Sequence, residues 1–169
     1  QALAIQQELL GPSHPACGET TLRIGQNLGV QGHYETAERL MREAIGILES
    51  SLGHDNPRIS RATSHLARHL CDRGAFDEAE SLWKQNLQRA ARYYGDRSGS
   101  VAVALSQQAH IRVRRGDHSG AEPLRREALA LFQSDLGDEH FHTQAERQAL
   151  ADLLVQQGCF AEAEPLLLE

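Results

Sequence analysis

Residues 32 to 40 read GHYETAERL, and 42 residues later residues 74 to 82 read GAFDEAESL. The correspondence extends both ways along the chain. Gly32, Gly74, Gly116 and Gly158 form one column at that spacing, and Gly11, Gly53, Gly95 and Gly137 form another. Tyr34, Phe76, His118 and Phe160 follow the first glycine set, then Ala37, Ala79, Ala121 and Ala163. Glu38, Glu80, Glu122 and Glu164 come next, and Leu40, Leu82, Leu124 and Leu166 lie two residues beyond them. A register that holds over four copies is the signature of a repeat array, and it decides the fold before any local propensity is weighed.

Each period reads as two helices. Between Pro57 and Arg73, Ile59, Ala62, Leu66, Ala67 and Leu70 keep a helical spacing, with Asn56 as N-cap and Pro57 in the first turn. Gly74 follows, where a left-handed residue can cap the helix end. A second helix is predicted from about Phe76 to Tyr93, with Ala79, Leu82, Trp83, Leu87 and Ala90 on one face and Gly95 at its end. The small column Gly25, Ala67, Ala109 and Ala151 stands against the Ala37 column. It lets the two backbones approach as a tight antiparallel hairpin.

One hairpin cannot bury its outer face, so neighbours must stack. GHYETAERL, GAFDEAESL and, at residues 159 to 167, CFAEAEPLL resemble the turn and second helix of tetratricopeptide repeats. The 42-residue period and ALAIQQELLGPSHP at residues 2 to 15 resemble the longer variant of kinesin light chains and bacterial regulatory arrays. The expected fold is all-α, an α-solenoid of antiparallel hairpins wound as a right-handed superhelix. One repeat domain covers 1–169: 1–10 end a preceding repeat, 11–52, 53–94 and 95–136 are full periods, and 137–169 is a truncated last one. The resemblance implies peptide or protein binding on a concave face, with no chemistry of its own. Such a chain reads as an interaction module inside a larger cytosolic protein. Leu3, Ile5 and Leu9 at one end and Leu166, Leu167 and Leu168 at the other are expected to lack neighbours and to favour self-association.

Composition agrees with helices: 40% of residues are hydrophobic and 5% aromatic. The net charge of -6 hides a slightly basic middle between acidic ends, which argues against nucleic-acid binding by the whole chain. Cys17, Cys71 and Cys159 are odd in number and far apart, so they read as reduced thiols. No run approaches the length of a membrane span.

Candidate sites are few. His65, His69 and Cys71 in HLARHLC include an i, i+4 histidine pair that could hold a metal, but structural zinc usually needs four ligands. In HFH at 140 to 142, His140 falls in the same inter-repeat loop column as His14, so the stretch reads as loop. RGD at 115 to 117 matches an adhesion tripeptide, yet Gly116 is the repeat's turn and Asp117 is placed to begin the next helix. Nothing resembles a nucleophile elbow, a phosphate loop or an H-E-x-x-H helix, and neither an enzyme nor a cofactor is expected.

The face of the first helices left free by the apolar columns carries the functional expectation. It comprises Leu22, Arg23, Gln26 and Val30, then Ser64, His65, Arg68 and Asp72, then Ser106, Gln107, His110 and Arg114, then Gln148, Ala149, Asp152 and Gln156. Kinesin light chains often carry paired Asn where this chain has Leu22-Arg23, Ser64-His65, Ser106-Gln107 and Gln148-Ala149. With Arg61 one turn earlier, the middle of the groove is basic. Acidic peptides are expected as partners, with His65 and His110 adding charge below about pH 6.5. RNA binding through Arg61, Arg68, Arg112, Arg114 and Arg115 is the alternative, and a passive spacer is a third.

The third copy departs from the template. Gln108 replaces Ile24, Leu66 and Leu150, Arg112 replaces Leu28, Leu70 and Leu154, and His118 replaces an aromatic. Asn86 stands in an alanine column and Arg89 in an isoleucine-leucine column. Burying an unpaired guanidinium costs on the order of several kcal/mol, so these arginines must reach water, find partners or loosen their hairpin.

Overall fold

The computed structural model describes residues 1–95 and 98–168; Asp96, Arg97 and Glu169, the last residue of the expected final period, lie outside it. Among the described residues the chain is all-α. The helices are α1 (Ala2–Leu10), α2 (Pro15–Val30), α3 (Tyr34–Leu52), α4 (Pro57–Asp72), α5 (Phe76–Tyr94), α6 (Gly99–Arg114), α7 (His118–Leu136), α8 (Phe141–Gln156) and α9 (Phe160–Leu168). Consecutive helices pack as antiparallel pairs. The fold divides into two compact units, Gln1–Leu82 and Trp83–Glu169, and the division falls within α5.

The punctuation follows the sequence columns. All eight column glycines, Gly11 to Gly158, have positive φ, between 78° and 87°. The Gly74 amide returns to Cys71 O and the Ala75 amide to Leu70 O, which satisfies carbonyls at the end of α4. At the other ends, His14, Asn56, Ser98 and His140 occupy one column and accept from Ala16, Arg58, Val101 and His142 amides. His14 and His140, the two histidines of that loop column, are thus helix caps. Asp117 caps α7 by accepting from the Gly120 amide at 2.9 Å, so the acid of the RGD tripeptide is spent on the turn.

In the first unit Ala37, Met41, Ala44 and Leu48 of α3 are buried with Ile59, Leu66 and Leu70 of α4. The small column acts as expected: a Cβ on Gly25 would meet the Ala37 carbonyl oxygen and Met41 Cγ, each at 3.1 Å. Burying such aliphatic side chains contributes about 1.5–3 kcal/mol each. On α3, Arg42 bridges Glu38 of its own helix at 3.0 Å and Glu78 at 2.5 Å, while Arg73 reaches Glu38 at 2.6 Å. Burial pushes the Glu38 carboxyl up, but Arg42 and Arg73 together outweigh it and hold the group below its ordinary value.

In the second unit Val101, Ala102 and Leu105 of α6 pack with Ala128, Leu131 and Phe132 of α7, and Leu129 packs with Leu150, Leu154 and Ala163. The ion-pair pattern recurs, with Arg126 bridging Glu122 at 2.9 Å and Glu162 at 2.6 Å. The departures of the third copy divide. Arg112 is partly buried and pairs with Asp117 at 3.1 Å, so it found a partner. Gln108 and Asn86 are buried, and the Gln108 amide nitrogen has no hydrogen-bond partner among the described residues. The sequence columns carried no sign of one buried ion pair. Arg125 and Glu146, 7% and 4% exposed, pair at 2.9 Å, and the Ser106 hydroxyl donates to the second Glu146 oxygen.

Candidate functional site

The α2 and α4 helices of the first unit present their free faces with a cavity between them of about 580 Å³, lined by Gln26, Gly29, Val30, Tyr34, Met41, His65, Arg68, His69 and Asp72. Local sequence explains part of the lining. Position 29 belongs to a column otherwise filled by Cys71, Val113 and Val155, and its missing side chain lets the His69 ring pack against α2. The His69 ring lies on that side, with Nδ1 3.3 Å from where a Gly29 Cβ would stand. Its Nε2 is 3.0 Å from the Tyr34 carbonyl oxygen and its ring sits 5.9 Å from the Tyr34 ring, which ties the start of α3 to the end of α4. Val30, 90% exposed, leaves an apolar edge at the mouth.

Of the residues expected from sequence to line a groove, Gln26, His65, Arg68 and Asp72 are brought together here. Arg23 is exposed on α2 outside the cavity. Arg61 lies 3.7 Å from Glu19, which also holds Arg58 at 3.5 Å. Ser64 turns its hydroxyl onto its own helix, to the Ser60 carbonyl at 2.7 Å. Leu22 is a correction: it is 3% exposed, a core residue, because the face that packs on α3 is wider than the column count allowed. In the second unit Gln107 is partly buried on α6, His110 and Arg114 are exposed there, and Asp152 on α8 accepts from Gln148 at 2.9 Å.

The electrostatics correct a second expectation. An Arg68 guanidinium nitrogen lies 2.7 Å from His65 Nδ1, and since guanidinium only donates, Nδ1 must accept. Burial first, then Arg68 and Arg61, hold the His65 imidazole below the ordinary histidine range. His65 therefore stays neutral where an ordinary histidine, near about pH 6.5, would take a proton. The positive charge here belongs to Arg23, Arg58, Arg61 and Arg68, which outnumber Glu19 and Asp72.

His65, His69 and Cys71 do not converge as a metal set. His69 is committed to Tyr34, His65 to Arg68, and Cys71 is buried. Among the described residues no group of three or more His, Cys, Asp or Glu side chains is placed to hold a metal ion. No helix of the described residues is long and apolar enough to cross a membrane. Sequence reasoning missed Gly29, Tyr34, Met41 and His69 as lining residues, although the gap in the Gly29 column was there to be read.

No curated protein matches the chain. Two family profiles described as tetratricopeptide repeat match residues 19–58 and 58–134, a continuous stretch of more than half the sequence. The chain belongs to the tetratricopeptide repeat family. Solved tetratricopeptide repeat structures resemble it in fold. The nearly identical TPR-like repeats of a putative kinesin light chain from Podosopora anserina share 23% identity over 99% of this chain and 79% of that one, with a TM-score of 0.79. BtubC (BKLC) from P. vanneervenii shares 19% over 98% of this chain and 66% of that one, at 0.84. A Rap protein solved in complex with Competence and Sporulation Factor shares 15% over 90% of this chain and 41% of that one, at 0.76.

Proposed function

We propose that this tetratricopeptide repeat array is a non-catalytic interaction module that binds an acidic peptide segment along α2 and α4 of its first unit. The supporting observation is the cavity between those helices, with Arg68 in its lining, and the four arginines that α2 and α4 carry against two carboxylates, Glu19 and Asp72. Charge-assisted hydrogen bonds from guanidinium to carboxylate are about twice as strong as neutral ones and fix orientation as well. The Rap structure lends support, since a chain of similar fold was solved there with a bound factor. A reducing, cytosolic setting belongs to the same proposal, on the ground that Cys17, Cys71 and Cys159 are unpaired.

The test is an array of acidic, neutral and basic peptides read by fluorescence polarisation. Acidic peptides are expected to bind best, and Arg68→Glu to weaken them about tenfold, the effect of losing one charge-assisted contact. Equal binding of acidic and basic peptides sinks the proposal. A steeply salt-dependent shift with single-stranded RNA would replace it with a nucleic-acid reading.

A further inference from the structure

The cavity of the first unit has an acceptor side that the arginines do not explain. His69 is 7% exposed, and its Nε2 faces the Tyr34 carbonyl oxygen. A carbonyl only accepts, so Nε2 carries the proton and, in the neutral ring, Nδ1 keeps its lone pair. Nδ1 has no hydrogen-bond partner among the described residues; it lies on the Gly29 side of the ring, 3.3 Å from where a Cβ would stand, and the ring lines the cavity. Asp72 follows three residues later on α4, the spacing at which side chains meet on a helix surface. Arg68 could pair with Asp72 four residues away, but it turns back to His65 instead. Among the described residues no ion pair occupies Asp72.

An unpartnered lone pair beside an available carboxylate disfavours an anion and suits a group that donates several protons and carries positive charge. The Tyr34 ring, also in the lining, adds an aromatic face that attracts cations. We infer that the cavity takes a primary ammonium group, from a lysine side chain or a chain N-terminus, held between the Asp72 carboxylate and His69 Nδ1. The inference deepens the peptide-binding reading: acidic residues of the segment lie along Arg23, Arg61 and Arg68, and one amine enters the pocket. It rests on that reading only for where the amine comes from.

Small amines test the pocket without a peptide. Nα-acetyl-lysine N-methylamide, its norleucine counterpart and alanyl-alanine amide are titrated into the intact chain, and the His69 imidazole resonances are followed by NMR. At least one amine is expected to bind about tenfold more tightly than the norleucine compound, the size of one charge-assisted hydrogen bond. The stronger of the two tells side chain from N-terminus. Asp72→Asn is expected to remove that advantage, and Gly29→Ala, which sets a methyl against Nδ1, to reduce it without changing any charge. An amine that binds no better than norleucine, or an advantage that survives Asp72→Asn, overturns the inference. Amine binding without acidic-peptide binding would leave it standing and remove the peptide reading. Peptide binding without an amine preference would do the opposite.

Discussion

The buried Arg125–Glu146 pair sits where the repeat template has no charge, and the template itself supplies the perturbation. Arg125 lies in the column of Met41 and Trp83, and Glu146 in the column of Thr20, Ala62 and Ala104, so Arg125→Met and Glu146→Ala restore the pattern. Glu146→Ala alone leaves a guanidinium at 7% exposure with no counter-charge, and it takes from the Ser106 hydroxyl the acceptor it now has. Breaking a buried pair this way costs about 3–5 kcal/mol. Arg125→Met alone costs less, about 2–4 kcal/mol, because the Glu146 carboxyl it strands still has the Ser106 hydroxyl donating to it. With both changes neither charge of this pair is left buried without its partner, and Ser106 can turn onto its own helix as Ser64 does toward Ser60. The double variant is expected within about 1 kcal/mol of the parent, giving a coupling energy of at least about 3 kcal/mol. Urea unfolding followed by circular dichroism measures it. Hydrogen exchange over α6 to α8 should accompany it, because a chain of two units need not unfold in one step. Single effects that add to the double within about 0.5 kcal/mol would refute the reasoning.

Gly120→Ala would ordinarily favour a helix by about 1 kcal/mol. Here its Cβ would collide with Asp117 and Arg112, and loss of the cap and ion pair is expected to make the variant about 1 kcal/mol less stable, seen as a lower melting temperature; a higher one would refute this. His65 gives a pH signature. Its folded-state pKa is held below the unfolded value, so protonation favours the unfolded chain, and stability present above the ordinary histidine pKa of about 6.5 is lost as pH falls below it. Urea midpoints taken at about pH 7.5 and about pH 5.5 should therefore differ more for the parent than for His65→Gln.

The fold was legible because backbone punctuation and apolar columns repeat together. The positive-φ glycines, the caps at Asn56 and Asp117, and the hairpin closed over Gly25 all follow from residue types whose local physics leaves little choice. The candidate site was legible in part. Arg68, His65, Gln26 and Asp72 were found by helical spacing, but Leu22 was placed on the wrong side, since spacing gives an angle and not the width of the packed face. His65 was expected to charge readily because sequence carries no burial. The Arg125–Glu146 pair escaped for a related reason: the two residues are 21 positions apart and belong to different columns, and only three-dimensional packing sets one against the other.

The bridges of Arg42 and Arg126 have a bearing on how such a chain can grow. The hydrophobic skeleton repeats every 42 residues, but the bridge from Glu38 through Arg42 to Glu78 recurs as Glu122, Arg126 and Glu162, at twice that interval, while Lys84 and Gly120 stand in the intervening columns. The core therefore counts single hairpins and the charged surface counts pairs. A duplication of two hairpins would carry a complete bridge with it, whereas a duplication of the Arg42 or the Arg126 hairpin alone would set a bridging arginine opposite Thr36 or Gly120, which lack the carboxylate. Lengthening by pairs preserves the surface wiring that copying an arginine-bearing hairpin alone interrupts.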